Sequence, residues 1–144
     1  MNPKTAENIV REEITVKAPA EKVFDAFVDP RSRKMWWGQG EWEITGSSSD
    51  PRAGGKWDLH VIAFGRESTI HGEYRIVDRP HVVEFTWIAS WYETPSTSIV
   101  RVEFEEHNGE TTVRLTHSGL AEAERGATKG WPRLLESLRR YVEN

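Results

Sequence analysis

Cysteine is missing from all 144 residues, which excludes disulfides, thiolate metal ligands and cysteine nucleophiles. No apolar run approaches the length of a membrane span. The first residues, Met1 to Asn8, are polar and lack the apolar stretch of a signal peptide. Basic charge is not in excess either. The 19 Lys and Arg against 23 Asp and Glu leave a formal net charge of -4, so no positive field exists to hold a phosphate backbone and nucleic acid is not an expected partner. The common hydrolase signatures are absent: there is no Gly-x-Ser-x-Gly, no His-Glu-x-x-His and no close pair of inward carboxylates. Gly54-Gly55 does not lead from a strand into a helix as a nucleotide loop would, so no phosphate site is inferred. The expectation is one cytoplasmic domain over residues 1–144, with 1–8 a flexible N-terminus and no cofactor.

What the chain does contain in quantity is tryptophan: seven residues. Indole is costly to leave in water and usually ends in a core, an interface or a ligand pocket. Where these rings point is the main functional question.

Periodicity supplies the architecture. Ile9 to Lys17 alternates, with Val10, Ile14 and Val16 on one parity. Glu12 shares that parity and is read as part of a fraying strand start. Pro19 suits a first helical turn, Val23, Phe24, Phe27 and Val28 recur at helical spacing, and Pro30 stops the run. Arg31 to Trp36 reads as a second short helix. Six further strands are expected near 40–46, 55–63, 69–78, 82–91, 97–106 and 111–118. Turn signals part them: Ser47 to Pro51 with Gly54-Gly55, then Gly65, Asp78-Arg79-Pro80, Thr94-Pro95 and Asn108-Gly109. Asn108-Gly109 is the clearest hairpin signal. Trp131 to Val142 is an amphipathic helix whose stripe is Trp131, Leu134, Leu135, Leu138, Tyr141 and Val142. An earlier helical stretch over Glu122 to Lys129 is left open.

Parity places Trp57, Leu59, Val61, Ile70, Gly72, Tyr74, Ile76, Val83, Phe85, Trp87, Ala89, Trp91, Val100, Val102, Phe104, Val113, Leu115 and His117 on one face. The last helix is the available cover for that face. A curved sheet gripping a helix leaves a wedge at its open end, and aromatic walls there favour flat apolar ligands. The candidate lining is Trp37, Trp42, Trp57, Tyr74, Phe85, Trp87, Trp91, His117, Trp131 and Leu134. The plainer alternative is that the same rings only fill the core.

His117 is the most interesting polar residue, since an inward imidazole can donate to a ligand or transfer a proton. No partner for a catalytic pair is visible, so a satisfied core histidine, bonded to backbone where Ser118-Gly119 turns, is preferred. His60 and His71 face outward on neighbouring strands. They would oppose each other in one register, while a shift by two would pair His60 with Glu73 and Asp58 with Arg75. The shifted register is preferred because it avoids setting Asp58 against Glu73, and two histidines without a third ligand do not make a metal site. Asp50 and Arg52 are read as a turn-stabilising carboxylate and a solvated arginine.

Several segments, in order, carry a family resemblance: Ala18-Pro19-Ala20-Glu21-Lys22-Val23-Phe24, Asp29-Pro30, Trp36-Trp37-Gly38, Asp50 to Trp57, Val83-Glu84-Phe85-Thr86-Trp87, Leu115 to Leu120 and Gly130-Trp131. Together, over about Ile9 to Val142, they resemble the SRPBCC (START-like) superfamily, and within it the C-terminal domain of the activator of heat-shock protein 90 ATPase. The resemblance implies an α+β helix-grip fold: a curved antiparallel sheet of about seven strands around a long C-terminal helix, with two short helices after strand one. It also implies a small hydrophobic molecule held between sheet and helix, and this noncatalytic binder is the leading reading. The alternatives are a cyclase-like enzyme using His117, with Tyr74, for proton transfer, and a chaperone-interacting module. Chaperone contact rests on the resemblance alone, and a homodimer is left open.

Overall fold

Strict alternation becomes a single curved, seven-stranded antiparallel sheet in the computed structural model, which describes residues 9–37, 42–63, 65–92, 96–121 and 130–144. The strands are β1 (Ile9–Val16), β2 (Glu43–Ser49), β3 (Lys56–Ala63), β4 (Arg66–Asp78), β5 (Val82–Ala89), β6 (Ser98–His107) and β7 (Glu110–Ser118). Their spatial order is β1-β7-β6-β5-β4-β3-β2, so β1 and β2 form opposite edges. Two short helices, α1 (Ala20–Val28) and α2 (Pro30–Trp37), connect those edges, and α3 (Trp131–Val142) closes the fold. α3 runs nearest to β1, α1 and α2. The expectations for residues 1–8, Gly38 to Glu41, Thr94-Pro95 and Glu122 to Lys129 lie outside the described residues.

The apolar face is where alternation places it. Trp57, Leu59, Tyr74, Phe85, Trp87, Val100, Val102, Val113 and Leu115 are buried, as are Trp131, Leu135, Leu138 and Val142 of α3. On the other face the Arg75 and Arg101 guanidiniums both approach the Glu84 carboxylate, and Arg114 lies between Glu13 and Glu105. Asn108 and Gly109 both adopt positive φ (54° and 81°), the conformation a two-residue hairpin requires, and His107 pairs with Glu110 across it.

Four local expectations are corrected. β2 continues through Ser47-Ser48-Ser49, which pair with Leu59, Asp58 and Trp57. Ladder hydrogen bonds to β3, after a register shift between Ile44 and Gly46, override the turn preference of serine. In the β3–β4 hairpin His60 faces Thr69, Asp58 faces His71 and Lys56 faces Glu73. This register sets Lys56 against Glu73 and still keeps Asp58 away from it. Ile76 is exposed, not inward, because the β4–β5 register shifts between Tyr74 and Ile76 and the following residue, Val77, packs on the core instead. β5 ends at Ala89, so Trp91 lies in the turn beyond it.

Candidate functional site

The concave face gathers aromatic rings at the level where α2 meets the sheet. Trp36 and Trp37 end α2 and are both buried. From Trp37, ring centroids lie 6.3 Å from Trp57, 5.8 Å from Trp87 and 6.0 Å from Trp131. Trp87 also contacts Trp57, Trp131 and the imidazole of His117. Phe85 bridges Trp57 to Tyr74. Six elements thus deliver one continuous cluster: α2, β3, β4, β5, β7 and α3.

A glycine makes room for the Trp57 ring. Trp57 on β3 is paired with Gly72 on β4, yet its indole N–H donates to the Thr86 carbonyl on β5, at 3.1 Å. The ring therefore crosses β4, at the position with no side chain. A Cβ on Gly72 would stand 1.9 Å from the Thr86 carbonyl oxygen, so only glycine fits there.

His117 sits at the far side of the cluster, 1% exposed. Trp131 Nε1 lies 3.1 Å from its Nδ1, and Ser98 Oγ lies 2.7 Å from its Nε2. An indole nitrogen only donates, so Nδ1 must be the acceptor and Nε2 carries the proton. Nε2–H then donates to Ser98 Oγ, whose own hydrogen goes to the Trp87 carbonyl at 3.3 Å. Each group in this relay gives or receives once, which fixes the neutral tautomer. Burial pushes the imidazole pKa down from 6.5 to about 4. As placed, both ring nitrogens are engaged inside the protein, so the relay orients Trp131 and Trp87 rather than presenting a proton to a reactant. Its partners are side chains of β6 and α3, not the backbone of the Ser118-Gly119 turn.

The second polar centre, Arg33, is buried with 3% exposure. Its Nε and Nη2 donate to the Phe27 carbonyl at 3.1 and 2.7 Å, and Nη2 also donates to the Tyr74 hydroxyl at 2.8 Å. Trp36 Nε1 donates to the neighbouring Ala26 carbonyl at 2.8 Å. Arg33 and Trp36 together cap the carbonyls that α1 leaves open at its end, where a positive charge is also favoured. The guanidinium carbon lies 4.9 Å from the Trp57 ring centroid and 5.8 Å from that of Trp37. Tyr74, with Ser49 Oγ at 2.6 Å, links this centre to β2.

Of the ten expected lining residues, the structure brings together Trp37, Trp57, Tyr74, Phe85, Trp87, His117 and Trp131. Trp42 and Trp91 form a separate, half-buried pair at 5.2 Å, and Leu134 packs part-buried against the core. Arg33 and Ser98 are the residues sequence reasoning missed. Both had a signal: Arg33 lies three and four positions before Trp36 and Trp37, on one helical face, and Ser98 shares parity with Val100 and Val102. An open, polar depression of about 360 Å³ over β2–β4, lined among others by Thr45, His60, Glu67 and Ser90, shares no residue with the cluster. Among the described residues no group of three or more His, Asp or Glu is placed to hold a metal.

Residues 17–143 match the family described as Activator of Hsp90 ATPase homolog 1-like protein. Among solved structures, one from Chromobacterium violaceum is similar at 22% identity and TM-score 0.87, over 96% of this chain and 99% of that one. A Rhizobium leguminosarum protein is similar at 24% identity and TM-score 0.80, over 94% and 93%. An AHSA1-like protein of Aeromonas hydrophila is 25% identical with TM-score 0.72, over 93% and 92%. No curated protein matches the chain.

Proposed function

The chain belongs to the Activator of Hsp90 ATPase homolog 1-like family, and from that premise we propose that it is a noncatalytic binder of a small apolar molecule, held between the concave sheet and α3. The observation that carries this reading is the continuous ring surface of Trp37, Trp57, Trp87 and Trp131, contributed by four separate elements. Aromatic walls with a few fixed polar groups suit a flat or flexible apolar guest. The His117 relay supports binding over proton transfer, because its nitrogens are spent on Ser98 and Trp131. A chaperone-docking role would call for a broad exposed apolar patch. Among the described residues the exposed large apolar side chains are Met35 and Ile76, on different elements. The setting proposed is the cytoplasm.

The test is a screen of small apolar and aromatic compounds by tryptophan fluorescence, with each hit followed for chemical conversion by mass spectrometry. Binding without conversion is expected, and Trp87→Leu should weaken it by roughly tenfold or more through loss of apolar contact. A screen in which no compound perturbs the emission defeats the reading. Conversion that His117→Gln abolishes would replace it with an enzyme.

A further inference from the structure

We infer that the bound molecule carries a carboxylate, received by Arg33 and Trp37 at the seam between α2 and β2; this deepens the binding reading above and rests on it. Three buried side-chain polar atoms lack a hydrogen-bond partner among the described residues: Arg33 Nη1, Trp37 Nε1 and Ser47 Oγ. All three come from α2 and β2, two elements packed against each other. Unpaired buried groups are costly, so their concentration in one seam is informative. Elsewhere in the cluster the indoles of Trp36, Trp57 and Trp131 each find an acceptor.

The chemistry of the three atoms selects the guest. Arg33 Nη1 and Trp37 Nε1 only donate, and Ser47 Oγ is able to donate. Their common complement is an acceptor that needs no donor in return. Charge narrows it further. Arg33 is 3% exposed, and among the described residues no carboxylate pairs with it. The Phe27 carbonyl, the Tyr74 hydroxyl and the faces of Trp37 and Trp57 offset the charge in part. A monoanion completes the neutralisation, whereas a dianion would bury a surplus negative charge. The carboxylate is the monoanion that an apolar body commonly bears, and the rings of Trp37 and Trp57 flank the guanidinium where that body would begin.

The experiment is isothermal titration calorimetry at pH 8 with matched pairs of equal apolar body: decanoate against 1-decanol, and 4-phenylbutyrate against 4-phenyl-1-butanol. The two pairs separate an aliphatic from an aromatic guest. At least one acid should bind about tenfold or more tighter than its alcohol, the factor of a single charge-assisted hydrogen bond. Trp37→Phe, which keeps a ring and removes the N–H, should cut that preference, read as the ratio of acid to alcohol affinity within the variant, severalfold. Arg33→Gln should abolish it, and Trp37→Phe serves alone if Arg33→Gln fails to fold. Equal binding of acid and alcohol overturns the carboxylate inference and leaves the apolar binder standing. Retention of the full preference in Trp37→Phe also overturns it. Failure of every acid and alcohol to bind overturns both.

Discussion

Acid should unlatch α3 through His117, over a defined pH window. The imidazole is neutral in the fold with its pKa near 4, against 6.5 for the free side chain. Above pH 6.5 both folded and unfolded forms are neutral and the residue contributes no pH dependence. Between 6.5 and about 4 the unfolded chain takes up the proton first, so stability falls as pH falls. Below about 4 the folded form protonates too and the loss levels off. Each pKa unit corresponds to ~1.36 kcal/mol, so the shift amounts to roughly 3 kcal/mol across the window. The geometry supplies the cause: a proton on Nδ1 would face the Trp131 N–H, donor against donor, inside the core. The residues around the ring, Ser98, Trp87, Trp131, Val10 and Val100, do not titrate there. Urea denaturation of the wild type and of His117→Gln at pH 7.5, 6.5, 5.5 and 4.5 isolates the effect, because other groups cancel in the difference. The wild type should lose about 2.5 kcal/mol more than the variant between the ends of that series, most of the full window. Parallel pH profiles for the two proteins would refute the reasoning.

Two further substitutions probe the packing. Gly72→Ala sets a methyl against the Thr86 carbonyl and displaces the Trp57 ring, so it should cost about 1–3 kcal/mol net of the gain in strand propensity and alter the near-ultraviolet dichroism of the tryptophans; unchanged spectra and stability would contradict the crossing-ring geometry. Leu138, fully buried at the middle of the α3 stripe, should cost about 2–5 kcal/mol on replacement by alanine, and chemical denaturation showing a loss near zero would mean that α3 does not seal the sheet.

Most of the frame was legible because period two and period 3.6 survive in the residue order. Trp57, Phe85, Trp87, Val102 and Leu115 could be sided from alternation alone. What alternation does not carry is a skipped beat. The shift beside Tyr74 turned Ile76 outward, and nothing in Tyr-Arg-Ile-Val announces it. Hairpin register was similarly underdetermined, since one phase keeps every side chain on its face while the partners of Asp58 and His60 slide by four from the expected register. The aromatic site was legible as a composition, not as a geometry. Sequence placed His117 inward, but its partners, Ser98 and Trp131, stand 19 and 14 residues away and meet it only through the β6–β7 pairing and the docking of α3. Arg33 was hidden by its charge: an arginine in a short polar helix reads as solvated until α1, β3 and β4 close around it.

The order of pairing also shapes how the molecule is born. β1 leaves the ribosome early, yet its hydrogen-bonding partner is β7, whose residues run from Glu110 to Ser118. The ring of Trp87 waits longer still, until Trp131 of α3 arrives against it. At roughly 5–20 residues per second, the stretch from Val16 to Glu110 takes on the order of 5–20 s to synthesise. Throughout that interval the nascent chain displays a half-built sheet with an unpaired edge and a bare aromatic flank. Such a surface is what holdase chaperones engage and what drives aggregation when expression outpaces them. Yield in a heterologous host should therefore respond to slower translation or lower temperature more than to changes in the mature surface.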